Sequence, residues 1–180
     1  MMSRFLRIAT VSLMTTALAS VASAQSKAFD KGDRVATLGF MTGNDYDGSG
    51  FGAQAEWRLL PIGKASLGVG GFVGFQHDSK GVGTVKTTAS WMPMMAIANL
   101  HFPLENQPRV DIYAGASFGF IRASVDVKGA GTLSGKASDT DSGFGIQGGA
   151  RYWLGSRLGV SGQVGFGDIP LVIAGLAFKF

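Results

Sequence analysis

The sequence predicts an all-β protein, an eight-stranded antiparallel up-and-down transmembrane β-barrel, on three observations. Eight segments alternate apolar and polar residues with a period of two, which indicates strands with one apolar face. Glycine is abundant, at 28 of 180 residues, and recurs inside these segments. Mean hydropathy is positive, at +0.21, yet no segment beyond the N-terminal region resembles a membrane helix. The other structure able to cross a bilayer is a closed barrel.

The N-terminal region has the features of a secretory signal peptide. Arg4 and Arg7 precede an apolar stretch that ends in the small residues Ala22–Ala24. We therefore expect a signal peptide at 1–24 and one barrel domain at 25–180, with an uncleaved N-terminal helix as the alternative. Without the signal peptide, 14 Lys and Arg residues face 12 Asp and Glu residues, a net charge of +2. This charge gives no support to a nucleic-acid partner, and the absence of cysteine excludes disulfides and thiolate sites.

The alternating segments and the connections between them can be placed along the chain. The predicted strands are Arg34–Met41, Phe51–Leu60, Ala65–Gln76, Thr87–Phe102, Val110–Val125, Ser142–Leu154, Leu158–Gly167 and Leu171–Phe180. The predicted outer loops are Thr42–Gly50, His77–Lys86 and Asp126–Asp141, with a short fourth connection around residues 168–170. The predicted periplasmic turns are Pro61–Lys64, Pro103–Arg109 and Gly155–Arg157. Long loops at one rim and short turns at the other are typical of bacterial membrane barrels.

Each predicted strand has one apolar face suited to lipid and one small or polar face suited to a narrow lumen. Glycines expected on the lumen face are Gly68, Gly70, Gly74, Gly115, Gly119, Gly145, Gly149, Gly159 and Gly165. Two aromatic belts are expected at the membrane interfaces. The outer belt comprises Phe40, Phe51, Phe75, Trp91, Phe120, Phe144 and Phe166, and the periplasmic belt comprises Trp57, Phe102, Tyr152, Phe178 and Phe180. Periodicity alone leaves open a soluble barrel whose apolar face points inward.

Pro93 complicates the face assignment of the fourth strand. A closed barrel has no free edge to accommodate a residue that lacks an N–H group. We therefore expect a bulge or an unpaired carbonyl at Pro93.

Charged and amide side chains gather on the predicted lumen faces, toward the periplasmic ends of their strands. They are Gln54, Glu56, Arg58, Asp111, Gln147, Arg151, Gln163 and Lys179, joined by Asn99 and His101. A charge in a narrow lumen needs a partner, which predicts a partly ion-paired plug. Such a plug could simply fill and rigidify the barrel, or it could act as a gate whose ion pairs rearrange to pass small ions.

The closing strand completes a resemblance to a known family. Ala174, Leu176, Phe178 and the terminal Phe180 share one face of Leu171–Phe180. With the signal peptide, the eight strands and the aromatic belts, this strand resembles those of small outer-membrane β-barrels such as the transmembrane domain of outer-membrane protein A. The resemblance implies an outer-membrane location, surrounding lipid and lipopolysaccharide, and a monomer. It also implies a barrel-only member whose four closing-strand residues are read by the barrel-assembly machinery.

No catalytic, metal or cofactor site is predicted. The run from Gln76 to Ser79 contains His, Asp and Ser, but successive strand residues point to opposite faces and cannot form a triad. The mixed charges of the outer loops give no support to specific adhesion. The sequence therefore favours a structural or membrane-integrity role with a narrow polar lumen. A small-solute or ion channel with a charged gate is the first alternative, and a soluble ligand-binding barrel is the second.

Overall fold

The chain forms one closed sheet of eight antiparallel strands. The computed structural model describes residues 29, 32–43, 48–129, 134–170 and 172–180, so the predicted signal peptide lies outside the described residues. The strands are β1 Arg34–Thr42, β2 Ser49–Ile62, β3 Ala65–Val82, β4 Val85–Pro103, β5 Val110–Lys128, β6 Ser134–Trp153, β7 Leu158–Gly167 and β8 Val172–Lys179. Each strand pairs with the next and β8 pairs with β1, which confirms the predicted up-and-down barrel. No helix among the described residues is both long and apolar enough to span a membrane.

The exterior of the barrel carries large apolar side chains in rows. Phe51 is 73% exposed, Phe118 is 60% exposed and Phe166 is 62% exposed, whereas their neighbours along each strand point inward. The apolar faces of β2, β5 and β7 therefore point outward, as predicted for strands that face lipid. Rows of exposed aromatic and aliphatic side chains would be costly in water, at about 25 cal/mol per Å² of apolar surface, and suit contact with lipid.

Strand β4 shows where the face assignment was wrong. Trp91, predicted in the outer aromatic belt, is 3% exposed and points into the lumen with Met95 and Ile97. Both faces of this half-strand are apolar, so the sequence pattern could not separate them. At Pro93 the ladder to β3 is interrupted between the Val73–Met94 and Gln76–Trp91 pairs, but the register on either side is the same. Of the two alternatives expected at Pro93, the bulge is therefore absent, and the interrupted ladder fits the other, an unpaired backbone carbonyl.

Strands β3 to β6 are longer than predicted and rise above the outer belt as a four-stranded sheet. The segment His77–Lys86, predicted as a loop, is a paired hairpin that turns at Gly83, whose φ is +61°. Most of Asp126–Asp141 is likewise paired between β5 and β6. Their polar composition suggested loops, but polar residues on both faces are suited to a sheet surrounded by water. Strand β7 pairs with β6 only from Gly145 onward, so the outer part of β6 pairs with β5 alone among the described residues.

The predicted lumen glycines occupy positions without room for a side chain. At each of the nine, an added Cβ would approach another atom more closely than 3.0 Å. At Gly68 it would meet the Glu56 carboxylate and the His101 ring, and at Gly149 it would meet the Tyr113 hydroxyl. The interior of an eight-stranded barrel holds side chains and little else. Glycine on one strand thus makes space for a large polar side chain of a neighbouring strand.

A charge placed on the lipid-facing row should be costly only within the bilayer. Ala116 and Ser124 lie on the same face of β5, the first between the aromatic belts and the second above them. We expect Ala116→Arg to lower the free energy of unfolding in lipid vesicles by about 2–4 kcal/mol, because the guanidinium enters hydrocarbon. The matched variant Ser124→Arg should change it by less than about 0.5 kcal/mol. Urea unfolding followed by tryptophan fluorescence measures both, and equal losses would contradict the assigned membrane position.

Candidate functional site in the barrel lumen

The lumen contains two layers of different chemistry. The periplasmic half holds a buried network of charged and amide side chains contributed by β2, β4, β5, β6 and β7. The outer half holds a buried apolar cluster, which we call the apolar plug: Met41, Phe72, Trp91, Met95, Ile97, Ile169 and Ile173. The strand pattern predicted the polar layer but gave no prediction for the apolar layer above it.

Four charged side chains at the centre of the polar layer form a closed ring, the charged ring. Glu56 lies 2.8 Å from Nε2 of His101 through Oε1 and accepts a hydrogen bond from Arg151 Nη2 at 2.6 Å through Oε2. Asp111 lies 2.8 Å from Nδ1 of His101 through Oδ1 and accepts from Arg151 Nη1 at 3.1 Å through Oδ2. Each carboxylate thus contacts both His101 and Arg151, and all four side chains are at most 2% exposed.

The contacts of the ring determine its charge. Both ring nitrogens of His101 lie at hydrogen-bond distance from carboxylate oxygens, which only accept when ionised. Two donating nitrogens require a doubly protonated imidazole, so we assign His101 as a cation from its partners. Two cations then balance two anions, and the ring is neutral as a whole. Neutrality matters because a single uncompensated charge in this narrow interior would be strongly destabilising.

Amide and aromatic side chains extend the ring across the lumen. Asn99 donates to Glu56 Oε1 at 2.9 Å, and its own Oδ1 accepts from Gln147 at 2.9 Å. The Arg151 guanidinium lies over the Tyr113 ring at 4.6 Å, and the Tyr113 hydroxyl donates to Gln163 at 3.0 Å. These bonds connect β2, β4, β5, β6 and β7 through the interior of the barrel. Tyr113 was missed as a site residue, although the sequence pattern had placed it on the lumen face.

Three of the predicted cluster residues lie at other levels of the barrel than the charged ring. Lys179 is at the periplasmic edge, where it forms an ion pair with Asp33 at 3.2 Å and lies over the Trp153 ring at 4.5 Å. Arg58 lines the periplasmic mouth of the lumen. Gln54 is buried between the polar layer and the plug. The alternation along each strand predicted that these side chains point inward. It did not predict the level along the barrel axis at which each of them lies.

The apolar plug is built partly by the short connection between β7 and β8. The backbone N–H of Asp168 donates to the carbonyl of Phe144 at 2.9 Å, and the Asp168 carboxylate accepts from the N–H of Phe144 at 3.0 Å. This two-bond clamp directs Ile169 and Pro170 into the lumen, where both are buried. Gly145 and Gly165 face Ile169 at positions where a Cβ would collide with it. A connection that the sequence showed only as unusually short therefore closes the outer half of the lumen.

The periplasmic mouth is a recess of about 250 Å³. Phe29 stacks on His101 there, with ring centroids 4.1 Å apart and an angle of 26° between the rings. Arg58, Ser66 and Asp111 also line the recess. Phe29 covers the charged ring on the periplasmic side as the plug covers it on the outer side. No sequence pattern pointed to Phe29, because it precedes the first alternating segment.

The residues predicted as an assembly signal lie on β8 and just after it. Leu176, Phe178 and Phe180 are 46%, 39% and 66% exposed, and Ala174 lies on the same outward face. They form a lipid-facing row beside β1 and β7.

Farther up the barrel, the side chains of Phe75 and His77 point outward from β3, whereas that of Asp78 points inward. The run from Gln76 to Ser79 therefore does not assemble a catalytic triad.

Comparisons with known proteins agree with this architecture. Residues 10–171 match the family model described as the outer membrane protein beta-barrel domain. The chain belongs to this family. It is an outer-membrane β-barrel, which removes the soluble ligand-binding barrel from consideration. A search of curated protein sequences returned no significant match.

Two solved structures show the same fold at low sequence identity. The attachment invasion locus protein Ail of Yersinia pestis, determined in complex with the heparin analogue sucrose octasulfate, superimposes with a TM-score of 0.58 and 12% identity. That alignment covers 84% of this chain and all of Ail. Neisserial surface protein A gives a TM-score of 0.50 and 16% identity, over 82% of this chain and 96% of the other. At these identities the likeness establishes the fold alone.

Removing one cation from the charged ring should destabilise the barrel strongly. In Arg151→Met, two buried carboxylates would share one imidazolium, and we expect a loss of about 3–5 kcal/mol in the free energy of unfolding. Arg157→Met, at an exposed turn, removes the same charge and should cost less than about 1 kcal/mol. The denaturant midpoint for loss of the compact, unboiled band on a gel compares the two variants. Equal midpoints would show that the ring does not stabilise the barrel.

The need for glycine beneath the ring can be tested with a double-mutant cycle. Gly68→Ala should cost about 1–3 kcal/mol, because the new methyl group overlaps the Glu56 carboxylate. In a Glu56→Ala background the same change should cost less, since the carboxylate is gone. Gly81→Ala, on the same strand but with its nearest neighbour at 3.8 Å, is the control and should be close to neutral. An unchanged cost of Gly68→Ala in both backgrounds would contradict the overlap.

Proposed function

We propose that the protein is a closed structural barrel that contributes to the integrity of the outer membrane and does not serve as an open pore. The observation that carries this proposal is the filled lumen. The charged ring occupies the periplasmic half and the apolar plug occupies the outer half. The cavity between them is about 10 Å³, which is about the volume needed for one water molecule.

The energetics of the two layers support a static role. An ion crossing the barrel would have to displace the side chains of the apolar plug and separate buried ion pairs. The ring is neutral, is hydrogen-bonded between strands and is covered by Phe29, so its rearrangement would leave carboxylates unpaired in a low-dielectric interior. The same features resist deformation of the barrel wall. We propose further that the protein acts as a monomer, without catalytic activity, and that the outward row of β8 is what the assembly machinery reads.

A gated channel for small ions is the alternative that the ring itself suggests, because ion pairs in a lumen can exchange partners. Planar-bilayer recording separates the two. We expect no stepwise conductance from the wild type or from Glu56→Gln, with a general porin recorded in the same bilayer as a positive control. Conductance steps in the wild type that change in size or frequency in Glu56→Gln would establish the gate and overturn the structural proposal.

A cellular measurement tests the integrity role directly. Cells that lack the protein should take up more of a hydrophobic fluorescent dye than wild-type cells, because the outer leaflet is less well ordered. Re-expression of Arg157→Met should restore the barrier, whereas Arg151→Met, with its weakened barrel, should restore it poorly. Dye uptake that does not respond to loss of the protein would contradict this role.

A further inference from the structure

The outward face of the four-stranded sheet above the outer belt is basic. Strand alternation places four cations on this face, together with many Ser and Thr residues: Lys86, Arg122, Lys128 and Lys136. Asp126 is the single carboxylate on this face among the described residues of β3 to β6. The remaining carboxylates of the sheet, Asp78, Asp139 and Asp141, alternate onto the opposite face. The two faces of the sheet therefore differ in sign.

Two of these cations line a recess directly above the outer belt. The recess has a volume of about 170 Å³ and includes Arg122 and Lys136 with the side chains of Ser90 and Ser124. Neither Arg122 nor Lys136 forms an ion pair with any residue that the structure describes. Guanidinium, ammonium and hydroxyl groups are the donors that bind phosphate oxygens in proteins. The chemistry of the upper part of the recess thus suits a phosphorylated group.

The lower part of the recess is apolar and continues the surface that faces lipid. Phe75 and Met92 line it, and they are 47% and 37% exposed on the outward rows of β3 and β4. A soluble anion would gain nothing from this apolar wall. A lipid whose phosphate sits at the membrane surface and whose acyl chains lie below it would contact both parts at once.

We propose that this recess binds a phosphate of the phosphorylated glycolipid in the outer leaflet, the lipid A portion of lipopolysaccharide. Arg122 and Lys136 contact the phosphate oxygens, Ser90 and Ser124 donate further hydrogen bonds, and the acyl chains pack along Phe75 and Met92. The inference deepens the proposed function, because a barrel that strengthens the membrane must hold the lipid around it. The experiment below measures lipid binding alone. A barrel that conducts ions could still bind the lipid, so the two proposals can fail separately.

The experiment compares two charge-reversal variants of the folded full-length barrel in detergent micelles. Arg122→Glu/Lys136→Glu alters the recess. Lys86→Glu/Lys128→Glu alters the same face by the same charge, at a cross-strand pair farther from the membrane. Native mass spectrometry reports the binding of bisphosphorylated lipid A, and the heat-dependent gel shift verifies that each variant is folded. We expect the recess variant to bind at least tenfold more weakly than wild type, and the control variant to remain within about threefold.

Three outcomes would overturn the proposal. Equal weakening in both double variants would show that the face attracts anions without a site. Equal binding of lipid A from which both phosphates have been removed would show that only apolar contact is involved. Displacement of lipid A by inorganic phosphate or dextran sulfate at comparable concentration would show a site for soluble anions. Selective loss in the recess variant, together with dependence on the lipid phosphates, establishes the lipid site.

Discussion

The narrow lumen of an eight-stranded barrel is the constraint on which the rest of the structure depends. Its walls are close enough that side chains from opposite strands meet, so every inward position must be small, bonded or packed. Glu56 reaches across to Arg151 on β6, and this is possible because Gly68 beside it has no side chain. The abundance of glycine and the buried ion pairs therefore have the same cause.

The two layers of the lumen satisfy this constraint in different ways. The charged ring is directional: its hydrogen bonds specify which strands face each other and at what height. The apolar plug is non-directional and gains its stability from packing, with Ile169 supplied by a connection between strands. Placing the directional layer near the periplasmic mouth and the packed layer near the outer belt gives the barrel both a fixed geometry and a dry interior.

Much of the fold could be predicted from the sequence, because alternation with period two depends only on local chain geometry. Phe51, Phe118 and Phe166 point outward as that pattern required. Prediction failed where both faces of a strand have the same character. Trp91 lies on an apolar half-strand with apolar neighbours on either face, and the polar hairpin at Gly83 resembles a loop in composition.

The sequence could predict which residue types line the lumen, but not the level along the barrel axis at which each of them lies. Strand phase placed Glu56, Asp111 and Arg151 in the lumen, and partial charge pairing followed from the cost of burying them. Which residues share one level depends on the stagger between strands, which is a property of the whole closed sheet. That stagger brings Arg151 to the ring and leaves Lys179 at the edge with Asp33.

Among the described residues, the outer part of β6 pairs on one side only, and this open side affects how copies of the protein can contact each other in the membrane. A strand with an open side offers its backbone groups to any strand of another molecule, and long apolar edges of this kind assemble into aggregates. Here the open side belongs to Ser134–Gly143, which carries Lys136, Asp139 and Asp141 and has Ala137 as its one apolar residue. Neighbouring copies would have to bury these charges to join. The polar composition that made this segment resemble a loop therefore also disfavours strand pairing between copies along this edge.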